Sequence, residues 1–170
     1  MVFNPAEQPH RRLNALTGEW VVVSPQRTQR PWDGRTDRAA KPEVPAFDPD
    51  CYLCPGNERA GGVHNPDYGA TFVFQNDFPA LLNSVPEHHR DDGLFQVESV
   101  NGECRVICFS PRHDLTLAAM EIADLERVVE LWQSQLADLY AGYRWVQIFE
   151  TRGAIAGASN SHPHGQVWAS

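Results

Sequence analysis

The residues with most chemistry to offer lie in one run near the C-terminal end, Ser161-His162-Pro163-His164-Gly165-Gln166-Val167-Trp168. In an extended strand alternate side chains share a face, so His162, His164 and Gln166 are expected to form one polar row, with Pro163, Gly165 and Val167 opposite. Two imidazoles and a carboxamide on one face suit phosphoryl chemistry; the bland alternative is a solvated sheet edge. Imidazole attacks phosphorus without first losing a proton, and the phosphoramidate it forms is reactive enough to pass the group on. Such a ring needs its other nitrogen fixed as a donor, for which a backbone carbonyl is the expected partner. A carboxamide two residues later is an uncharged donor that can steady phosphoryl oxygens without activating water. The loop of small residues before the run, from Gly153 through Gly157 to Ser161, lets backbone approach a ligand closely.

A second constellation is Cys51-Tyr52-Leu53-Cys54-Pro55-Gly56-Asn57. Two thiolates on a tight turn resemble a zinc knuckle and leave two tetrahedral positions to fill. The chain has no second Cys-x-x-Cys, so histidines are needed. His113, after Ser110-Pro111-Arg112, and His162 are available. A redox dithiol and inert cysteines are the rival readings, although Pro55-Gly56 breaks the strand-to-helix junction that a thioredoxin-like motif requires. The other two cysteines, Cys104 and Cys108, alternate with Val106 and are expected to be core thiols. His10, His64, His88 and His89 look like surface loop residues.

Several elements must position these groups. Residues 16–23 read as a turn followed by a strand, and 71–74 as a β-rich run stopping at Asn76-Asp77. Residues 94–100 and 103–109 flank Asn101-Gly102, a dipeptide that suits a type I′ turn, so a hairpin is expected there. Residues 120–140 form the one long helix. Its apolar positions Ile122, Leu125, Val129, Trp132, Leu136 and Leu139 recur at spacings of 3 and 4, giving one stripe assigned to the core. Gly142 follows near the C-cap position. Residues 145–149 and 165–168 read as strands. Strands, one helix, then strands again imply an α+β fold, an antiparallel sheet with the helix packed on one face. Residues 1–50 hold seven of the 13 prolines and divide into a strand and, from Ser24, a Pro/Arg-rich arm with Arg27, Arg30, Trp32 and Arg35. That arm is expected either to be poorly ordered or to wrap a partner subunit. Residues 51–170 make up the chemistry-bearing domain.

Composition bounds the function. The 170 residues suit one ordinary domain able to bury a core without disulfide staples. The formal net charge of −8 falls entirely beyond residue 50, which argues against duplex nucleic acid as a partner and leaves room for a single nucleotide. Of the basic residues only Lys41 is a lysine, and arginine suits bidentate phosphate contacts. No apolar run is long enough to span a membrane, and the first residues lack the pattern of a signal peptide. A cytoplasmic location is expected by default.

These features together resemble the galactose-1-phosphate uridylyltransferase family, a branch of the histidine triad superfamily. The matching segments are residues 27–32, 51–57, Asn76-Asp77-Phe78-Pro79-Ala80, 106–113, 145–150 and 159–168, and His-Pro-His-Gly-Gln-Val-Trp is the most specific of them. The resemblance implies a histidine-triad-like sheet. It makes His164 the nucleophile toward the α-phosphorus of UDP-glucose, with glucose 1-phosphate leaving. Galactose 1-phosphate then takes the uridylyl group as UDP-galactose, in a ping-pong cycle of galactose metabolism. Gln166 would hold the phosphoryl oxygens. Cys51, Cys54, His113 and His162 would bind zinc. Asn76 and Asp77 would hold the ribose, Leu53 and Phe78 would lie near the uracil, and Gly157 and Ser159 would approach the phosphates. Arg27 and Arg30 would reach the nucleotide of the other subunit of a homodimer. Thr151 stands where many members have asparagine. Members are much longer, so this chain is expected to be the N-terminal half of a two-domain enzyme. Two further readings belong beside this one: a phosphorylase of ADP-sugars or dinucleoside polyphosphates, which also carries glutamine at the third position, and a silent zinc-binding partner half.

Overall fold

The computed structural model describes residues 2–29, 44–153 and 156–170. Arg30, Trp32 and Arg35 of the arm therefore lie outside the described residues.

Two antiparallel four-stranded sheets account for the strands. The first contains β1 (His10–Asn14), β2 (Glu19–Val23), β4 (His89–Asp91) and β5 (Gln96–Ser99), in the order β2-β1-β5-β4. The turn joining β1 to β2 ends on Gly18, whose φ of 73° favours glycine. The second contains β3 (Phe72–Gln75), β6 (Glu103–Cys108), β7 (Val146–Phe149) and β8 (His164–Ala169), in the order β3-β6-β8-β7. The α+β class stands as expected, with the strands divided between two sheets.

The hairpin expected at Asn101-Gly102 does not form. β5 pairs with β1 and β4, whereas β6 pairs with β3 and β8, so the dipeptide carries the chain from one sheet to the other. Gly102 is not among the glycines with positive φ, so no type I′ turn is present. Its small size serves a close approach instead: an added Cβ would fall against the Ala169 carbonyl oxygen and 2.7 Å from Leu81 Cδ1. Asn101 is occupied in clamping another segment, accepting from Val85 N at 2.5 Å and donating to Val85 O at 3.2 Å.

The helix α1 (Ile122–Tyr140) covers one face of the second sheet. Val128 and Leu139 are buried there against Ile107, Phe109, Val167 and Ala169, with Leu125, Leu131 and Trp132 packed at the margin. The expected stripe is thus corrected. Ile122, Val129 and Leu136 are 75%, 46% and 44% exposed. The helix carries apolar residues over more than half its circumference, so spacing alone does not choose which arc meets the sheet. Arg105 of β6 helps to fix that choice, donating to Gln135 Oε1 at 2.7 Å and Asp138 Oδ2 at 2.6 Å.

Strand alternation sends the other side chains to the opposite face. There Phe72 and Phe74 of β3, Cys104, Val106 and Cys108 of β6, and His164, Gln166 and Trp168 of β8 stand in cross-strand rows. The Cys51–Tyr68 segment covers part of this face: Cys51, Leu53, Cys54 and Tyr68 pack against Phe74, Val106 and Cys108 in one buried cluster. Cys104 and Cys108 are core thiols, as expected, and burial pushes Cys108 up to about 12. His10 is not the surface residue expected. It is fully buried, with Nδ1 2.8 Å from Gln8 O and Nε2 accepting from Arg12 Nε at 2.9 Å.

Candidate active site

β8 begins at His164, two residues later than a polar row starting at His162 requires. His164 and Gln166 share the face as expected, continued by Trp168. His162 sits in the bend before the strand, buried, with its ring turned toward the cysteines. Gly165, between the His164 imidazole and the Gln166 carboxamide, faces the helix side, where a Cβ would meet the Phe149 carbonyl oxygen and the Phe109 ring, each at 2.8 Å. Glycine here lets β7 lie close beside β8.

His164 Nδ1 lies 2.7 Å from the carbonyl oxygen of His162. A carbonyl only accepts, so Nδ1 carries a proton, and in the neutral ring the lone pair is on Nε2. Gln166 is oriented equally firmly. Trp168 Nε1, which can only donate, lies 3.1 Å from Gln166 Oε1, and Asn76 Nδ2 donates to the same oxygen at 3.3 Å. The amide nitrogen is thereby the donor end. Asn76 is set in turn by its own backbone N–H on Cys104 O (2.9 Å) and by Oδ1, which accepts from Phe78 N (2.9 Å). A hydrogen-bonded imidazole and an oriented amide donor thus stand on one strand, with the Asn76–Phe78 turn beside them.

Cys51, Cys54, His113 and His162 come together, all buried, with one ligand atom from each within 4.8 Å of the others. The four cysteines are free thiols. Cys54 Sγ is 3.7 Å from His113 Nδ1 and 3.5 Å from His162 Nδ1. A tetrahedral ion about 2.3 Å from sulfur and about 2.0 Å from nitrogen would space these atoms about 3.5 Å apart, so the donor set fits a metal. Surrounding groups fix the same ligand atoms. His162 Nε2 faces Ser110 O at 2.8 Å and the Tyr68 hydroxyl at 3.1 Å, and that hydroxyl donates to Leu53 O. His113 Nε2 faces Ser161 Oγ at 2.9 Å. Both rings therefore direct Nδ1 at the thiols, held from behind as metal-ligating histidines generally are. Asn160 Nδ2 and Leu53 N donate to Cys51 Sγ, each at 3.4 Å. Burial lowers His162 to about 4 and raises Cys54 to about 11: the imidazole stays neutral, while the thiol needs a cation to ionise.

The remaining expected site residues are placed as follows. Asp77 and half-buried Phe78 follow β3 and Asn76, with Asp77 accepting from Arg59 Nη1 at 2.7 and 2.9 Å. Leu53 is buried beneath the cysteine turn. Gly157, with φ 78°, and exposed Ser159 lie in the loop that leads to His162. Arg27 is half-buried in a short 3-10 turn, Pro25–Gln29, which docks on its own chain through Ser24 Oγ to Ala80 O (2.7 Å) and Gln26 Nε2 to Pro79 O (3.2 Å). Tyr68, Asn160, Ser161 and the Ser110 carbonyl support the metal cluster but escape sequence reasoning. They act on ligands more than forty residues away, and no local spacing marks that. Among the described residues no helix is long and apolar enough to cross a membrane.

The profile of the family described as galactose-1-phosphate uridyl transferase, N-terminal domain, matches residues 1–170. The galactose-1-phosphate uridylyltransferase of Haemophilus influenzae is 51% identical over 169 residues, covering 99% of this chain and 48% of its own length. That of Rattus norvegicus is 47% identical over 169 residues, covering 99% and 45%. A solved uridylyltransferase shares the fold with a TM-score of 0.65 at 20% identity, over 94% of this chain and 45% of its own. An Arabidopsis thaliana ADP-glucose phosphorylase does so with a TM-score of 0.52 at 23% identity, over 96% and 49%. The chain spans about half the length of the curated relatives it matches. With a full-length profile match and half of its residues shared with such relatives, the chain belongs to the galactose-1-phosphate uridyl transferase family and corresponds to its N-terminal domain.

Proposed function

We propose that this domain carries the nucleophile of a UDP-glucose–hexose-1-phosphate uridylyltransferase. One observation carries the reading: His164 Nδ1 is hydrogen-bonded to the His162 carbonyl while Gln166 presents its amide donor two residues along the same face. Nε2 of His164 attacks the α-phosphorus of UDP-glucose. The bond to the bridging oxygen breaks and its electron pair leaves with glucose 1-phosphate, giving a uridylyl-histidine. The ring gains positive charge as the bond forms, and the carbonyl 2.7 Å from Nδ1 stabilises it. A phosphate oxygen of galactose 1-phosphate then attacks the same phosphorus, returning the electron pair to Nε2 and releasing UDP-galactose. Gln166 donates to the phosphoryl oxygens throughout and, being uncharged, stabilises the intermediate without trapping it.

The metal is zinc in this reading, because two thiolates and two imidazoles in a closed tetrahedral set suit it. Held by Cys51, Cys54, His113 and His162, it would supply structure by fixing the His162 side chain, whose backbone carbonyl orients His164. Asn76, Asp77, Leu53 and Phe78 receive the uridine, and Gly157 and Ser159 the phosphates. The protein acts as a homodimer in which Arg27 and Arg30 approach the neighbouring nucleotide.

The test is a single-turnover reaction without acceptor. UDP-glucose should release glucose 1-phosphate stoichiometrically with protein, and ADP-glucose should release far less. Release from ADP-glucose at an equal or greater rate would replace this reading with a phosphorylase of ADP-sugars. Release from neither nucleotide sugar, with UDP-glucose bound, would identify a silent binding domain.

A further inference from the structure

We infer that Trp168 is a positioning residue for Gln166 that sets what the uridylyl-histidine reacts with: it engages the carboxamide oxygen, so that the side chain offers donors to a phosphate group and no acceptor to water. The inference deepens the proposed uridylyl transfer and rests on that reading.

A glutamine beside a phosphoryl centre can act from either end. Its amide nitrogen donates to phosphoryl oxygens. Its carbonyl can instead accept from a water and aim that water at phosphorus, the role a glutamine has in GTPases. The two ends are nearly the same size, and a half-turn about the last side-chain bond exchanges them. The groups around the amide therefore decide which chemistry results.

Here those groups favour one orientation. An amide oxygen has two lone pairs, and Gln166 Oε1 has two donors, Trp168 Nε1 at 3.1 Å and Asn76 Nδ2 at 3.3 Å. Neither donor can exchange roles. Indole has no acceptor nitrogen, and the Asn76 amide is itself held by Oδ1, which accepts from Phe78 N at 2.9 Å. A flipped Gln166 would set its N–H groups against two others. The amide nitrogen is thus the end that meets a phosphoryl oxygen, and the acceptor that a water would use is occupied.

The strand places Trp168 for this. It stands two residues beyond Gln166 on β8, on the same face. Its ring meets Phe149 edge-on, with centroids 5.3 Å apart and planes at 83°, and packs against Ala80, Leu81 and Cys104. Phe149 on β7 and Val106 on β6 are the cross-strand neighbours of Gln166, so apolar side chains flank the amide on both sides. Packing there is open to any large aromatic ring. A donor that cannot also accept requires indole, because a tyrosine hydroxyl or a neutral imidazole would tolerate either end of the amide.

The consequence falls on discharge of the intermediate. In transfer, a phosphate oxygen of the sugar phosphate bonds to phosphorus, the phosphorus–nitrogen bond breaks and its electron pair returns to His164 Nε2. That oxygen carries no proton and needs no acceptor. In hydrolysis a water oxygen makes the same bond, its surplus proton passes to solvent, and UMP is released. An acceptor beside the water speeds only this second route, so engaging Oε1 restrains hydrolysis and leaves transfer alone.

The experiment loads the protein with uridylyl groups from UDP-glucose, removes the nucleotide sugar, and measures two rates: decay to UMP in buffer, and formation of UDP-galactose when galactose 1-phosphate is added. Wild type is compared with Trp168→Phe and with protein carrying 3-benzothienylalanine, an indole isostere without the N–H, at position 168. Hydrolysis relative to transfer should rise about fivefold to tenfold in both variants, the worth of one hydrogen bond. The isostere keeps the shape of the ring and decides the matter if Trp168→Phe does not fold. A purely structural tryptophan predicts that both rates change together. An unchanged or lower ratio in the folded variants overturns the inference and leaves uridylyl transfer standing. A wild-type chain that takes no uridylyl group overturns that reading and the inference with it.

Discussion

Replacing Gly102 with alanine isolates a contact that holds the second sheet in register. The added Cβ would press on the Ala169 carbonyl oxygen at the end of β8 and stand 2.7 Å from Leu81 Cδ1 and 3.0 Å from Leu81 Cβ. The leucine end can yield, but the carbonyl belongs to the strand that carries His164 and Gln166 and cannot move without disturbing its pairing with β6. Overpacking against a fixed neighbour costs up to about 3 kcal/mol. At about 2–4 °C per kcal/mol for a chain of this size, melting should fall by up to about 6–12 °C. Gly142→Ala is the matched control: nothing lies within 4 Å of its added Cβ and its φ is not positive, so it should be neutral or raise stability by less than about 1 kcal/mol. Thermal unfolding followed by circular dichroism gives both shifts. A Gly102→Ala variant melting with the wild type would refute the claimed close approach.

Three further outcomes follow from the site and the helix. Protein prepared without chelator should carry one zinc per chain by elemental analysis, and its removal should lower the melting temperature; uptake should release protons and strengthen as pH rises from about 6 to 8, because a thiol held near 11 by burial must ionise to ligate. Tyr68→Phe removes the hydroxyl behind His162 and should cost about 1–2 kcal/mol while weakening zinc retention in a chelator competition assay. Leu139→Ala should cost about 2–5 kcal/mol in denaturant unfolding, whereas Leu136→Gln on the exposed arc of α1 should stay within about 0.5 kcal/mol.

The chemistry was legible in the sequence where residue type alone decides it. Residue type and spacing singled out His164 with Gln166, and Cys51 and Cys54 with His113 and His162, against blander readings, and the structure brings each group together. β2 and β3 were legible as short β-branched and aromatic runs, the first opening after Gly18 and the second stopping at Asn76-Asp77, and β7 and β8 as short strand-like runs. What sequence could not give were choices made by distant partners. Asn101-Gly102 satisfies the local rule for a tight turn, yet pairing with β1 on one side and β8 on the other separates its two strands. The helix offers more apolar arc than the sheet can cover, so burial shifted from Val129 to Val128. His10 is buried because Gln8 O and Arg12 Nε satisfy both its nitrogens, a fact invisible until β1 is in place.

The central claim is that His164 is the nucleophile, and mass spectrometry of the peptide containing it tests that most directly. After incubation with UDP-glucose, one uridylyl group should sit on His164, labile to acid and more stable to base, as a nitrogen–phosphorus bond requires. His164→Gly should take no label and keep its zinc and melting temperature, since it removes no ligand of the metal cluster. A label on His162, on His113 or on any other side chain, or full labelling of His164→Gly, would contradict the account.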